Sequence, residues 1–340
     1  MGSLTRPAAC LIAAALGCAP ELLDDTSRVR SPRVLAVRSE PAEPAPGEAV
    51  TLRALVVAPD GTVGEPPLRW SFCTARRALA TPGPVHPACL AEADPALQSV
   101  GSGATASGTL PTDACRLFGP EPPDDRQGGG GRPVDPDVTG GFYLPVQMVL
   151  SGAAPAVFQA RIGCRPGGLS QTESAELTRR ARRNENPSIA SLVATMEGRA
   201  ITVDEGAAVE VAPGAAVRLA VTWATCPASA RCGDGVCGEE ETRATCADDC
   251  TTPRGCGGAE GYARFDLATR TVVTAREVLR ASWFATEGAF GAPRTGSDGG
   301  ARSVNEWTAP ATAGTVRGWV VLRDDRGGAD WRAFSVRVGR

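Results

Sequence analysis

Six of the chain's twelve cysteines fall within residues 226–256, CPASARCGDGVCGEEETRATCADDCTTPRGC. Thiols this dense either pair as disulfides or hold a metal as thiolates. The spacings from Cys232 to Cys237 and from Cys246 to Cys250 are C-x4-C and C-x3-C, not the paired C-x2-C of a four-thiolate zinc site. Loops this short bury no core of their own, so covalent links replace one. Six cysteines allow 15 pairings. The expected set is Cys226 with Cys256 as a clamp at the root, and Cys232 with Cys246 and Cys237 with Cys250 interleaved above it. Closing a loop of about 30 residues stabilises by about 3.5 kcal/mol on the chain-entropy account. Six acidic residues and one arginine lie between Cys232 and Cys250. Oxygen ligands crowded on a stapled loop suit Ca2+, with Asp234, Glu240, Asp248 and Asp249 as the candidate ligands. The alternative is solvated turn residues, since Asp and Gly make tight turns without a metal.

Catalytic chemistry leaves little trace. The one histidine, His86, lies between Val85 and Pro87, and a Ser-His-Asp triad would have to use it. The chain has no G-x-S-x-G, H-E-x-x-H or G-x-x-x-x-G-K. A paired-carboxylate hydrolase leaves no local motif, but 5% aromatic residues is low for a sugar cleft. The expectation is therefore a protein that is not an enzyme. All 35 basic residues are Arg, a genome-composition signature alongside 40 Gly and 28 Pro. A net charge of −3 argues against a nucleic-acid partner, because phosphate binding needs a basic surface.

The run from Cys232 to Cys250 resembles the CGDGxC…E…CxxDC cysteine-rich repeats of myxobacterial-type cell-surface proteins, with Ala247 where the family often has Pro. The resemblance implies an extracytoplasmic surface protein and no particular reaction. The N-terminus, MGSLTRPAACLIAAALGCAPE, has an apolar run over 8–16 that is too short to span a bilayer and fits a signal peptide over 1–17. Ala15-Leu16-Gly17-Cys18 resembles a lipobox, although Ala15 stands where Leu is usual. It implies that Cys18 carries the lipid anchor, in a cell-envelope protein of the outer membrane facing the periplasm or the cell surface; a soluble secreted protein is the alternative. Setting Cys10 and Cys18 aside leaves ten cysteines, an even number as a disulfide framework requires. Residues 18–32 then form the lipidated cysteine and a polar tether reaching roughly 45 Å at about 3.3 Å per residue.

Period-2 patterning supplies the elements that position these groups. Val50, Leu52, Ala54 and Val56 line one face of a strand, and Leu68, Trp70 and Phe72 line another. The V-x-S-x-P-x-x-x-x-P-G-x-x-V-x-L pattern from Val37 to Leu52 resembles the opening of bacterial immunoglobulin-like or fibronectin-like sandwiches. Residues 33–169 read as the first such domain. Within it, 74–140 read as a long, partly disordered insertion, with Cys89 paired to Cys115 and Cys73 paired to Cys164. Ser170-Gln-Thr-Glu173 is a capping box opening a short helix through Arg183, a hinge over 170–187. Its basic end suits a helix C-terminus, with an anionic-surface contact as the alternative. Residues 188–340 read as the second domain, with Pro213-Gly214 echoing Pro46-Gly47, the cysteine insertion at 226–256 and a hairpin turn at 324–328. Trp223, Trp283, Trp319 and Trp331 read as core anchors.

The fold class expected is all-β: two immunoglobulin-like β-sandwich domains joined by a short helical linker, with a disulfide-rich insertion in the second. The function expected is a non-catalytic adhesion or binding module on a membrane lipid anchor, taking surface polysaccharide or envelope proteins as partners. A structural spacer subunit is the first alternative and a carboxylate-based hydrolase the second. No cofactor is implied beyond the calcium considered above.

Overall fold

The computed structural model describes residues 26–61, 67–77, 82–120, 137–204, 206–226, 241, 244–247, 256–297 and 300–339. The first seven strands are β1 (Arg33–Glu40), β2 (Ala49–Val57), β3 (Leu68–Cys73), β4 (Leu97–Ser102), β5 (Thr105–Thr109), β6 (Phe142–Leu150) and β7 (Ala156–Ile162). They form two facing sheets, β1-β2-β5 and β4-β3-β6-β7. Alternation does the work: Val50, Leu52 and Ala54 meet Trp70, Phe72, Leu144 and Val146 in one core. Burying side chains of this size stabilises by about 1.5–3 kcal/mol each. The Trp70 indole N–H is satisfied inside the sandwich by the Gly103 carbonyl at 2.8 Å.

The described part of 74–140 is not an appendage. It supplies β4 and β5, one strand to each sheet, joined by a sheet-switching link in which Gly103 takes a φ of 99° that other residues rarely adopt. β5 is small and polar, with Ala106 its only fully buried side chain, and the two apolar residues of β4, Leu97 and Val100, stand three apart, so no period-2 alternation announces either strand. Backbone pairing to β3 and β2 holds them instead.

The cysteine pairing in this half also differs from expectation. Cys73 joins Cys89, and Cys115 joins Cys164, with Cα separations of 5.4 and 5.6 Å. A Cys73–Cys164 bridge is ruled out by strand order: β6 lies between β3 and β7. Two strand spacings come to about 10 Å, beyond a disulfide's reach. Cys89 sits in a 3-10 turn (Pro87–Leu90) held against the sheet by Gln147, whose amide donates to the Cys89 and Ala91 carbonyls. Cys115 lies in helix α1 (Ala114–Phe118), which carries it to the end of β7 and away from Cys89.

The later strands are β8 (Ile189–Met196), β9 (Arg199–Thr202), β10 (Ala208–Val211), β11 (Ala216–Trp223), β12 (Gly261–Asp266), β13 (Thr271–Arg276), β14 (Leu279–Ala285), β15 (Ala289–Phe290), β16 (Arg294–Ser297), β17 (Arg302–Thr308), β18 (Gly314–Arg323) and β19 (Ala329–Val338). They build sheets β9-β8-β11-β17-β15 and β10-β19-β18-β14-β16, with β10 parallel to β19. Trp223, Trp283 and Trp307 fill the core between these sheets. The two sandwiches share a turn: Gly47 (φ 77°) donates to the Leu110 carbonyl just past β5, and Gly214 (φ 72°) to the Pro310 carbonyl just past β17. The Pro-Gly echo in the sequence is the same corner built twice. The segment between β11 and β14 carries the cysteine insertion and an additional ribbon, β12-β13.

The outer face of β1-β2 packs on β18 and β19, with Leu35, Ala36, Leu55 and Val57 against Trp319 and Val321. Trp319 is thus an anchor between sandwiches and not within one. Two expectations change here. Val29 is buried in this seam, and its N–H donates to the Ala285 carbonyl at 2.9 Å, so the chain is docked at residues 27–29 and is not free tether there. The linker is not a hinge. Helix α2 (Gln171–Arg180) opens on the expected Ser170–Glu173 capping box but ends three residues early. Beyond it Arg183 pairs with Glu48, and Asn184 and Asn186 bond groups of both sandwiches.

Candidate functional site

Below the seam, several elements converge on a knot of buried charge. Glu43, from the β1–β2 connection, receives Arg161 Nε of β7 at 3.0 Å, Arg326 Nη2 at 3.2 Å and the Asn184 backbone N–H at 2.8 Å, all on one oxygen. Arg326 comes from the β18–β19 turn. That turn is shaped by Asp324, whose Oδ1 accepts from the N–H groups of Arg326 and Gly328. Glycine at 328 leaves room for the Asp324 carboxylate, because a Cβ there would stand 2.2 Å from Asp324 Oδ2 and displace it. Arg326 is 2% exposed; its Nη1 reaches Glu277 Oε1 at 3.1 Å and its guanidinium lies 4.5 Å from the Tyr262 ring centroid.

Carboxylates outnumber cations on the Glu277 side of the knot. Burial first, and the Asp324 charge second, push the Glu277 carboxyl up to about 8 in spite of Arg326. Burial also raises Asp324 and Glu260, and pushes Glu185 to about 7 with help from Glu260. Burial works against the Arg161 charge, but Glu43 and Tyr143 outweigh it, and the group is held more firmly protonated.

The knot forms one wall of an open cleft of about 170 Å³. Helix α2 and its C-cap contribute Leu177 and Ala181, β12 contributes Ala263, Arg264 and Phe265, and the entry to β6 contributes Thr139, Gly140 and Phe142. Four guanidinium groups (Arg161, Arg182, Arg264 and Arg326) line it against one carboxylate, Glu43. Arg161 bonds through Nε and Nη1, and Arg264 makes no hydrogen bond or ion pair among the described residues. Leu267 on the wall is 50% exposed, and Val138, beside Thr139, is 83% exposed. The Thr139 hydroxyl is tied to Asp137 and Arg161. Cationic groups over an apolar floor recognise an anion that carries an apolar group.

Sequence reasoning named none of these residues as a site. Arg161, Arg326, Glu43 and Glu277 are far apart in the chain, and no local motif joins them; the 324–328 run read only as a turn. Of the residues it did name, Cys226 and Cys256 are disulfide-bonded at the root of the insertion, and Cys246 is buried and disulfide-bonded. Glu260 stands within ligand distance of Cys226 and Cys256, but sulfurs bonded to each other offer no thiolate. Cys232, Cys237, Cys250, the calcium candidates Asp234, Glu240, Asp248 and Asp249, and Cys18 lie outside the described residues. His86 caps the 3-10 turn, its Nδ1 accepting from the Ala88 N–H at 3.1 Å. The basic end of α2 is engaged as well: Arg179 pairs with Glu176, and Arg180 bonds the Val272 carbonyl and Thr274 of β13. Among the described residues no helix is long and apolar enough to cross a membrane.

No protein-family model matches the chain, and no curated protein matches it. Solved structures similar to it include the fibronectin(III)-like modules of Clostridium thermocellum CbhA, at 11% identity over 89% of this chain and 94% of that one, with a TM-score of 0.20. The D0–D1 domain of Intimin gives 8% identity over 90% and 99%, TM-score 0.20. The Yersinia pseudotuberculosis adhesin InvE gives 10% over 89% and 58%, TM-score 0.20. Scores at this level carry no functional inference, and the architecture stands on the strand order itself.

Proposed function

We propose that this chain is a surface lipoprotein, held to the outer membrane through Cys18, that acts as a non-catalytic binding module for envelope or surface molecules. The observation that carries the reading is the open cleft at the junction of both sandwiches, α2 and the β12-β13 ribbon, with its surplus of three positive charges over an apolar floor. A site of this composition recognises and does not transform: its one hydroxyl is already tied to a carboxylate and a guanidinium. The lipobox-like Ala15-Leu16-Gly17-Cys18 supports the anchor. The test is co-sedimentation of residues 19–340 with purified surface polysaccharide and with envelope protein fractions. Retention by one of them, lost in Arg264→Glu and in Leu267→Asp, is the expected result; no retention by either refutes the reading. Labelling of native cells with a radioactive fatty acid, absent in Cys18→Ala, checks the anchor.

A rigid spacer in an envelope complex is the second reading, favoured by the seam that locks the two sandwiches face to face through Trp319. Retention unchanged by both cleft variants would favour it. The acidic loop of the cysteine insertion is proposed to bind Ca2+ through Asp234, Glu240, Asp248 and Asp249. Titration of the oxidised chain giving no heat up to millimolar Ca2+ would sink that proposal.

A further inference from the structure

We infer that β12 is a docking edge for an extended acidic peptide, which adds to the ribbon as a third strand. The inference rests on the binding-module reading and names the partner for its cleft. Among the described residues the ribbon has two strands, so each has an outer edge. Glu277 N–H donates to the Glu260 carbonyl, which sets the phase of the ladder. In an antiparallel pair, hydrogen-bonded and non-hydrogen-bonded positions alternate. Tyr262 opposite Ala275 and Arg264 opposite Val273 therefore exchange bonds across the ribbon, whereas Ala263 and Phe265 turn their N–H and C=O groups outward. Neither residue has another hydrogen-bond partner among the described residues. These same two residues line the cleft.

An unpaired edge is a template for another strand, and natural proteins usually cover or charge it. Here it opens into a cavity whose chemistry suits one kind of strand. Side chains along β12 alternate between faces. Tyr262 and Arg264 lie on one face, and Tyr262 packs against Arg326. Ala263 and Phe265 lie on the other. An added strand alternates in the same way, placing carboxylates on the face of Arg264 and apolar side chains on the face of Phe265. Arg264, which pairs with no carboxylate among the described residues, in a wall of four guanidiniums and one carboxylate, favours glutamate or aspartate and rejects a basic peptide. Main-chain bonds to Ala263 and Phe265 provide affinity, and the cleft provides selectivity.

The test is fluorescence anisotropy of a labelled, N-acetylated hexapeptide of alternating glutamate and leucine, titrated with residues 19–340 in oxidised form. Saturable binding is expected, weakened at least tenfold when glutamine replaces glutamate and when alternate amides of the peptide are N-methylated. In the protein, Arg264→Glu should abolish binding. Ala263→Pro should weaken it at least tenfold with an unchanged thermal transition, because the lost N–H faces away from β13 and proline is tolerated on a strand edge. Should Ala263→Pro fail to fold, the N-methylated peptide reads the same main-chain bonds in the native protein. No saturable binding up to 1 mM peptide, or equal affinity for the N-methylated or glutamine peptides, overturns the inference. Peptide failure with continued retention by envelope fractions sinks strand addition alone; loss of both sinks the binding-module reading as well.

Discussion

Replacing Arg326 with Met tests whether the charge knot holds the two sandwiches together. Met has similar length and no charge, so packing is largely kept. Arg326 is 2% exposed, and its loss leaves Glu277, whose side chain is 1% exposed, without its cation. It also removes one of three donors to the Glu43 oxygen and a donor to the Arg182 carbonyl. Breaking a buried pair by removing one partner costs about 3–5 kcal/mol, because the other charge stays buried. The cost should depend on pH. Above about 8 the native Glu277 carboxyl is ionised with Arg326 as its cation, and the loss grows with pH; at pH 6 it holds a proton. There the loss shrinks to about 1–2 kcal/mol, the cost of unsatisfied neutral groups. Urea denaturation followed by tryptophan fluorescence at pH 6 and pH 9 measures both. Because Arg326 bonds groups from both halves, the variant should also split the unfolding into two transitions at pH 9. A loss under about 1 kcal/mol at pH 9, or an equal loss at both pH values, would refute the electrostatic account. Glu277→Gln in the same background should recover part of the loss, and additivity of the two changes would count equally against it.

The native chain should lose stability as pH rises from about 5 to 9. Glu277 and Glu185 have folded values near 8 and 7, above the usual carboxylate value of about 4.5, so the folded state binds the extra protons and stability is complete only below that range. The slope for one proton is at most about 1.4 kcal/mol per pH unit, and a melting temperature that rises over this window contradicts it. Peptide mapping of the oxidised protein should recover Cys73 linked to Cys89 and Cys115 linked to Cys164. Removing them should cost about 3 and about 4 kcal/mol respectively, the longer loop costing more. Trp319→Ala should cost about 3–5 kcal/mol. Trp319→Phe should cost far less, since the buried indole N–H has no acceptor to lose. Thermal unfolding with both variants separates the apolar and polar parts.

Much of the fold was legible because strand period and burial coincide. Val50, Leu52, Leu68, Trp70 and Phe72 announce a half-buried sheet, and the Pro46-Gly47 and Pro213-Gly214 corners mark where each second strand starts. The capping box of α2 was legible too, since its hydrogen bonds are local. β4 and β5 were not, because they are held by backbone pairing and their few core-facing residues, Leu97, Val100 and Ala106, make no period-2 pattern. The disulfide partners of Cys73 and Cys164 were not, because connectivity follows which strand lies between them and not their spacing. The cleft was least visible: Glu43, Arg161, Arg264 and Arg326 are ordinary surface residue types in sequence.

By itself the sequence determined the all-β character, the two Pro-Gly corners, the helix cap and the place of the cysteine insertion. Each depends on neighbours a few residues apart, through side-chain period, turn geometry or loop length. Tertiary structure alone decided that Trp319 joins two sandwiches, that residues 27–29 dock, that 170–187 is clamped, and that four arginines share one cleft. Those outcomes depend on which faces meet across hundreds of residues. Pairing of this kind is set by the global packing of apolar surface and by charges that burial forces together, and no local pattern encodes it.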